Sequence, residues 1–189
     1  LGNHLFINAK ALFYACAFFK LKEDTRIYKT AISIINEEVN EQFLEDGAHF
    51  ELSPMYHSLA MEDLLDLISI SDQLPSNFPK EVIIQKFEKG MLWLQTMIYN
   101  NEELAHFNDC ANGIAPKFSE LVNYASELGI ILPNLSIPKF SYHKSSGFVV
   151  YKDNDFHLIA DLGKVGPDYL PGHAHADTLS FELAIKGHR

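Results

Sequence analysis

Cysteine is nearly absent: the 189 residues include two, Cys16 and Cys110, far apart and in no CxxC pair. That excludes a disulfide framework and a cysteine-built zinc site. Cys16 lies in an apolar run and reads as a small core residue. No run of about 18 apolar residues occurs, so no membrane span is expected. Basic residues are scarce, 15 against 25 acidic, for a formal net charge of −10. So acidic a chain lacks the basic face that general nucleic-acid binding needs. The same balance sits awkwardly with an acidic ligand of any kind, although a small positive cleft can survive within a negative average. There is no fixed-period repeat, no low-complexity tract and no signal peptide at the start. Leu1 opens the chain in what reads as the middle of an element, and Gly187-His188-Arg189 closes it just after a strand-like run. Both ends are expected to be truncations.

What is present is a globular composition, 47% hydrophobic and 21% charged, enough for one ordinary domain and marginal for two. The first two-thirds has helical spacing. Leu5, Ala9, Leu12, Phe13, Cys16 and Ala17 form one apolar face. Asp24 and Thr25 are capping residues for a second helix, with Ile27, Ala31, Ile34, Ile35, Val39 and Phe43 as its stripe and Asp46-Gly47 as its stop. Ser53-Pro54 starts a third helix through Leu59, Leu64, Leu65 and Ile68. A fourth covers 80–99, a loop follows over 100–115, and a short helix runs from Pro116 to Glu127.

After Gly129 the pattern changes. Pro133 and Pro138 mark a linker, then 147–151, 156–160 and 179–183 read as strands, with Asp153-Asn154-Asp155 as a turn between the first two. A helical layer thus gives way to a β layer near residue 135, which suggests two domains. About 50 residues of β-type sequence are too few for a closed sandwich.

Three polar clusters carry the chemistry. Gly2-Asn3-His4 precedes the first helical stripe, Glu51-Leu52-Ser53-Pro54-Met55-Tyr56-His57 opens the third helix, and Gly172-His173-Ala174-His175-Ala176-Asp177 lies between Pro171 and a strand. In an extended segment His173, His175 and Asp177 share one side, a pattern open to metal binding or acid–base work. A tyrosine in a first helical turn becomes an acid or base if cationic neighbours lower its pKa. Taken alone, each cluster has a plainer account: a polar hairpin, an amphipathic aromatic, a helix cap beside a surface histidine.

Together, in this order, GNHLFINAKALFYA, EQFLEDGAHFELSPMYHSLAMEDLLDL and GPDYLPGHAHADTLSFEL resemble the heparinase II/III-like polysaccharide lyases, including the oligoalginate lyases. The resemblance implies an α+β, multidomain fold: an incomplete helical (α/α) toroid over 1–135, then the first strands of an antiparallel β-sandwich over 136–189. It implies β-elimination at a uronic acid of an acidic polysaccharide or oligosaccharide. Asn3, helped by His4, would neutralise the substrate carboxylate, which lowers the cost of the developing dianion. Tyr56 would be the acid, and in one stereochemical course also the base, with His173 the base in the other. His57 would orient Tyr56 or contact substrate, Glu51 would contact substrate, and Gln42 resembles a cleft residue without a role. His175 matches a position that binds zinc in relatives, with partner ligands expected beyond Arg189; no organic cofactor is required. Asn108, Asp109 and Asn112 lie on a loop that borders the expected cleft and are accounted for as turn residues. Such an enzyme is expected to be periplasmic or secreted. Two other readings stay open: a carbohydrate-binding or assembly protein of the same fold without turnover, and a toroid hydrolase using Glu51 with Asp63 or Asp66.

Overall fold

The computed structural model describes residues 2–132, 136–169 and 172–189. Leu1, Pro133 and Pro171, singled out above, lie outside them. Five helices come first: α1 (Asn3–Phe18), α2 (Arg26–Gln42), α3 (Pro54–Ile70), α4 (Lys80–Thr96) and α5 (Phe118–Glu127). Four strands follow, β1 (Phe140–Tyr142), β2 (Phe148–Lys152), β3 (Phe156–Asp161) and β4 (Phe181–Ile185), in one antiparallel sheet of order β1-β2-β3-β4. Helices followed by an antiparallel sheet is the expected class. No described helix is long and apolar enough to cross a membrane.

The helices follow from apolar spacing, with local corrections. Thr25 caps α2 by accepting from the Tyr28 amide at 3.4 Å. In that helix Tyr28 is buried while Ile27, placed in the stripe, is 45% exposed. α2 ends at Gln42, short of Asp46-Gly47, because the chain turns back at once through an antiparallel bridge between Phe43 and His49. Gly47 serves that turn. Its φ is +95°, and a Cβ there would sit 2.3 Å from the Lys89 carbonyl oxygen. Ser53 starts α3 but its hydroxyl does not cap the helix; it donates to the Asp109 carbonyl at 3.2 Å. The last strand begins at Phe181 and not at 179, because Leu179 has φ +69°, outside strand geometry. β1 falls in the stretch read as linker. The Asp153 turn is as expected: its carboxylate accepts from the amides of Asp155 at 3.0 Å and Phe156 at 2.8 Å.

Two apolar clusters hold the molecule. One lies among the helices, around Phe13, Tyr28, Leu64, Phe87 and Leu94. The other joins the layers: Trp93, Met97, Ala105 and Phe107 pack on Phe148, Val150, Ile159 and Ala184 from the sheet. Polar bonds reinforce this junction. The Asp46 carboxylate accepts from the Ser145 amide at 2.9 Å, the Ser146 amide at 2.7 Å and the Ser146 hydroxyl at 3.0 Å. The Trp93 indole donates to the Ser146 hydroxyl at 3.2 Å, and His157 Nε2 donates to the Thr96 carbonyl at 3.1 Å. The opposite face of the sheet is also apolar. Phe140, Phe156, Phe181, Leu183 and Ile185 share it through the strand register and are exposed among the described residues. A sheet apolar on both faces is built to be covered on both, which a sandwich does.

Replacing Asp46 with Ala removes three charge-assisted bonds across the layers, and a loss of about 2 kcal/mol is expected, read as a lower urea midpoint with unchanged far-ultraviolet dichroism. Acid acts through buried histidines. Burial pulls His49 down to about 3 and His57 and His157 to about 4. The unfolded chain therefore binds more protons than the native one below pH ~6.5, so this contribution is whole above that pH and is lost as pH falls through 4. Burial pushes the carboxyls of Glu38 and Glu51 up, which acts in the opposite sense. Urea midpoints measured from pH 7 to 4 should fall, and fall less steeply for His157→Gln.

Candidate active site

Three chain segments far apart in sequence meet beside the first turn of α3. The reversal after α2 returns the chain under the start of α1. There Gln42 Nε2 donates to the Gly2 carbonyl at 2.8 Å and also bonds the Glu38 carboxylate, while His49 Nε2 donates to Gln42 Oε1 at 3.1 Å. This buried chain fixes the N-terminal turn that carries Asn3 and His4. The Asn3 amide N–H reaches Glu51 Oε1 at 3.5 Å. Leu52, at φ +58°, kinks the chain into α3 and Tyr56.

The third segment is brought in by the loop after α4. Asn108 is buried, with φ +54°. Its Nδ2 donates to the Leu52 carbonyl at 2.9 Å, its Oδ1 accepts from the His175 amide at 3.1 Å, and its own amide donates to Asp177. Next to it, the Asp109 amide donates to the His173 carbonyl at 3.1 Å. The His-x-His-x-Asp segment is thereby fastened to the helical layer.

The result is a compact acid–base group. The rings of Tyr56 and His173 lie 3.9 Å apart between centroids, tilted by 39°. His173 Nδ1 is 3.0 Å from Asp109 Oδ2, and its Nε2 is 3.9 Å from Glu51 Oε2. Glu51 is 4% exposed, and its Oε2 is buried without a hydrogen-bond partner among the described residues. Burial pushes the Glu51 carboxyl up, against the pull of His173, the Asn3 amide and His4. Tyr56 is also pushed up, by burial and by the carboxylates of Asp109 and Glu51. The phenol therefore rests protonated, with a proton to give. The condition set by the sequence, a tyrosine lowered by cations, is replaced by its opposite.

Tyr56, His173, Glu51 and the Asn3 main chain are together. His4 is exposed on the first turn of α1, within electrostatic reach of Glu51. His57 is not at the site. It is fully buried, its Nδ1 accepting from the His49 amide at 3.0 Å and its Nε2 donating to the Gly90 carbonyl at 3.0 Å, with the Trp93 ring 4.6 Å away. Both nitrogens are spoken for by main chain, so the expected substrate contact is corrected to a structural role. A Cβ at Gly90 would come within 3.3 Å of that imidazole and 2.3 Å of Met61 Sδ. Asp63 and Asp66, nominated for hydrolysis, instead hold Lys10. As for zinc, among the described residues no group of three or more His, Cys, Asp or Glu could hold a metal. His175 offers one imidazole, and Asp177 is engaged by the Asn108 amide. These residues do not by themselves fit a metal.

Asn108 and Asp109 were placed on a loop bordering the cleft but accounted for as turn residues, since an Asn-Asp loop has the composition of any turn; the structure puts Asp109 against His173. Of the Glu38–Gln42–His49 chain, only Gln42 carried a signal.

The chain's matches bear on its fold and family. The family profile described as Heparinase II/III N-terminus matches residues 1–134, and that described as Heparinase II/III-like, C-terminal, matches residues 138–189. Among curated proteins, the chain is 28% identical over 206 aligned residues to a heparin-sulfate lyase of Pedobacter heparinus, covering 98% of this chain and 30% of that protein. It is 39% identical over 126 residues to a heparin-sulfate lyase of Bacteroides stercoris, covering 65% of this chain and 18% of that protein. Among solved structures, a heparinase III matches with TM-score 0.77 at 21% identity, over 99% of this chain and 34% of that one. Heparan sulfate lyase HepC from Pedobacter heparinus matches with TM-score 0.70 at 22% identity, over 99% and 32%. At these identities the structural likeness speaks for the fold. The chain spans at most about a third of the length of these relatives. With both of its parts matched in order, the chain belongs to the heparinase II/III family.

Proposed function

We propose that the whole polypeptide is a polysaccharide lyase that cleaves a uronate-containing acidic polysaccharide by β-elimination, acting on heparan-type chains and working in the periplasm or outside the cell. The observation that carries this reading is the stacked Tyr56–His173 pair at the meeting of three segments, with Asp109 on one imidazole nitrogen. The substrate class is supported by the two similar curated proteins, both heparin-sulfate lyases.

The chemistry follows from the positions. A base takes the C5 proton beside the uronate carboxylate. The electron pair forms the C4–C5 double bond, the C4–O bond breaks, and an acid protonates the departing oxygen. With Nδ1–H donated to Asp109, His173 keeps the Nε2 lone pair free for the C5 proton; this tautomer is assigned from the hydrogen bond. Tyr56 rests neutral beside two carboxylates and gives its proton to the leaving oxygen. A phenol pushed up leaves little phenolate to take the C5 proton, so the division of labour between His173 and Tyr56 is favoured over tyrosine acting twice. Asn3 and His4, at the positively polarised start of α1, neutralise the substrate carboxylate. Asp109 is a positioning residue for His173.

Incubating the full-length protein with uronate polysaccharides should raise ultraviolet absorbance from the unsaturated product. Tyr56→Phe and His173→Ala should each lower kcat by about 100-fold or more. Asp109→Ala should lower kcat by about 100-fold through a misplaced imidazole, with KM held. A flat trace on every substrate, with binding retained, would move the assignment to a non-catalytic carbohydrate-binding protein. Water incorporation without unsaturation would move it to a hydrolase.

A further inference from the structure

A second recess lies beside the acid–base group, separated from it by one strand of main chain. Glu51 points to His173, while its neighbours Phe50 and Leu52 line a groove of about 470 Å3 on the other side. The far wall comes from the β1–β2 turn and from the connector after β3, with Tyr142, Lys144, Lys164 and Tyr169. The same connector runs on to His173, so one wall of the groove and the imidazole belong to a single segment.

Lys144 and Lys164 are exposed on the groove wall, and neither is in a salt bridge among the described residues. Tyr142 and Tyr169 leave 59% and 58% of their surface in solvent. Glu41 also lines the groove, but the Tyr169 hydroxyl donates to it. Buried apolar floor, exposed aromatic faces and two free ammonium groups form the pattern that a sugar ring with anionic substituents satisfies: apolar ring faces against tyrosines, carboxylate or sulfate against lysines. The groove is within the size of small-ligand sites, roughly 300–1,000 Å3.

We propose that this groove is a subsite for an acidic sugar residue of the polymer beyond those at the cleavage point, with Lys144 and Lys164 on its anionic groups and Tyr142 and Tyr169 against its ring. The proposal rests on the lyase reading for its place in the reaction, but not for its ligand chemistry. It gives an acidic protein a local positive surface where an acidic polymer must lie.

The test uses the full-length protein with Lys144→Glu and Lys164→Glu together, and Lys144→Arg with Lys164→Arg as the charge-preserving control. Binding of a heparan sulfate octasaccharide is titrated in a Tyr56→Phe background, so that no turnover is needed. Expected is about tenfold weaker binding in the double Glu variant, as for two exposed ion pairs lost, restoration by Arg, and a difference that shrinks at high salt. A chemically desulfated octasaccharide assigns the anionic groups: equal loss on both probes names carboxylates, loss confined to the sulfated probe names sulfates. In turnover, the double Glu variant should raise KM on long chains and leave kcat and the KM of the shortest cleaved oligosaccharide unchanged. Octasaccharide binding equal to the parent's, with no dependence on chain length, overturns the subsite. If the parent cleaves nothing, the lyase reading fails while the titration still decides the groove.

Discussion

Asn108 bonds the Leu52 carbonyl with one end of its amide and the His175 amide with the other, while its main-chain N–H takes the Asp177 carboxylate. Everything at the site depends on that crossing. Tyr56 comes from the helical layer and His173 from a loop of the sheet layer, so their contact requires the two layers to be registered to within a fraction of an ångström. The apolar junction of Trp93, Phe107 and Phe148 brings the layers together but is non-directional. Buried hydrogen bonds supply the direction, because leaving any of these groups unpaired away from water costs about 1–3 kcal/mol. Asp46 does the same at the other end of the junction, against Ser145 and Ser146. The site is thus positioned by polar contacts at the edges of an apolar seam.

The helices were legible in the sequence because their burial has a single period, and Phe13, Ile35 and Leu64 fall inside as the spacing requires. The end of α2 was not, because Gly47 marks a turn whether it stops a helix or reverses a bridge. β1 was hidden by its short length and neighbouring prolines. At the site, the three polar clusters were visible, but the resemblance and not the spacing joined them: residues 56 and 173 approach only through tertiary structure. His57 was misplaced for a local reason. Successive residues on a helix point about 100° apart, and here the two rings diverge. Tyr56 faces His173 and His57 faces Trp93. Asp109 was placed only on a loop bordering the cleft, since which imidazole it meets is decided by tertiary structure.

The electrostatics of the group bear on which proton goes where. Glu51 and Asp109 flank His173, and no lysine or arginine is in salt-bridge contact with the three among the described residues. In such a setting a phenolate beside them would be a further negative charge in a poorly solvated place, and Tyr56 is accordingly pushed up. His173 sits between them, its Nδ1 3.0 Å from Asp109 and its Nε2 3.9 Å from Glu51. In the proposed lyase reading the C5 proton would go to His173, beside the Asp109 carboxylate, and Tyr56 would give its proton to the departing oxygen. The unpartnered Oε2 of Glu51, facing the same imidazole at 3.9 Å, adds to the stabilisation of the imidazolium without competing for its base nitrogen, because at that distance it acts as a field and not as a hydrogen-bond acceptor.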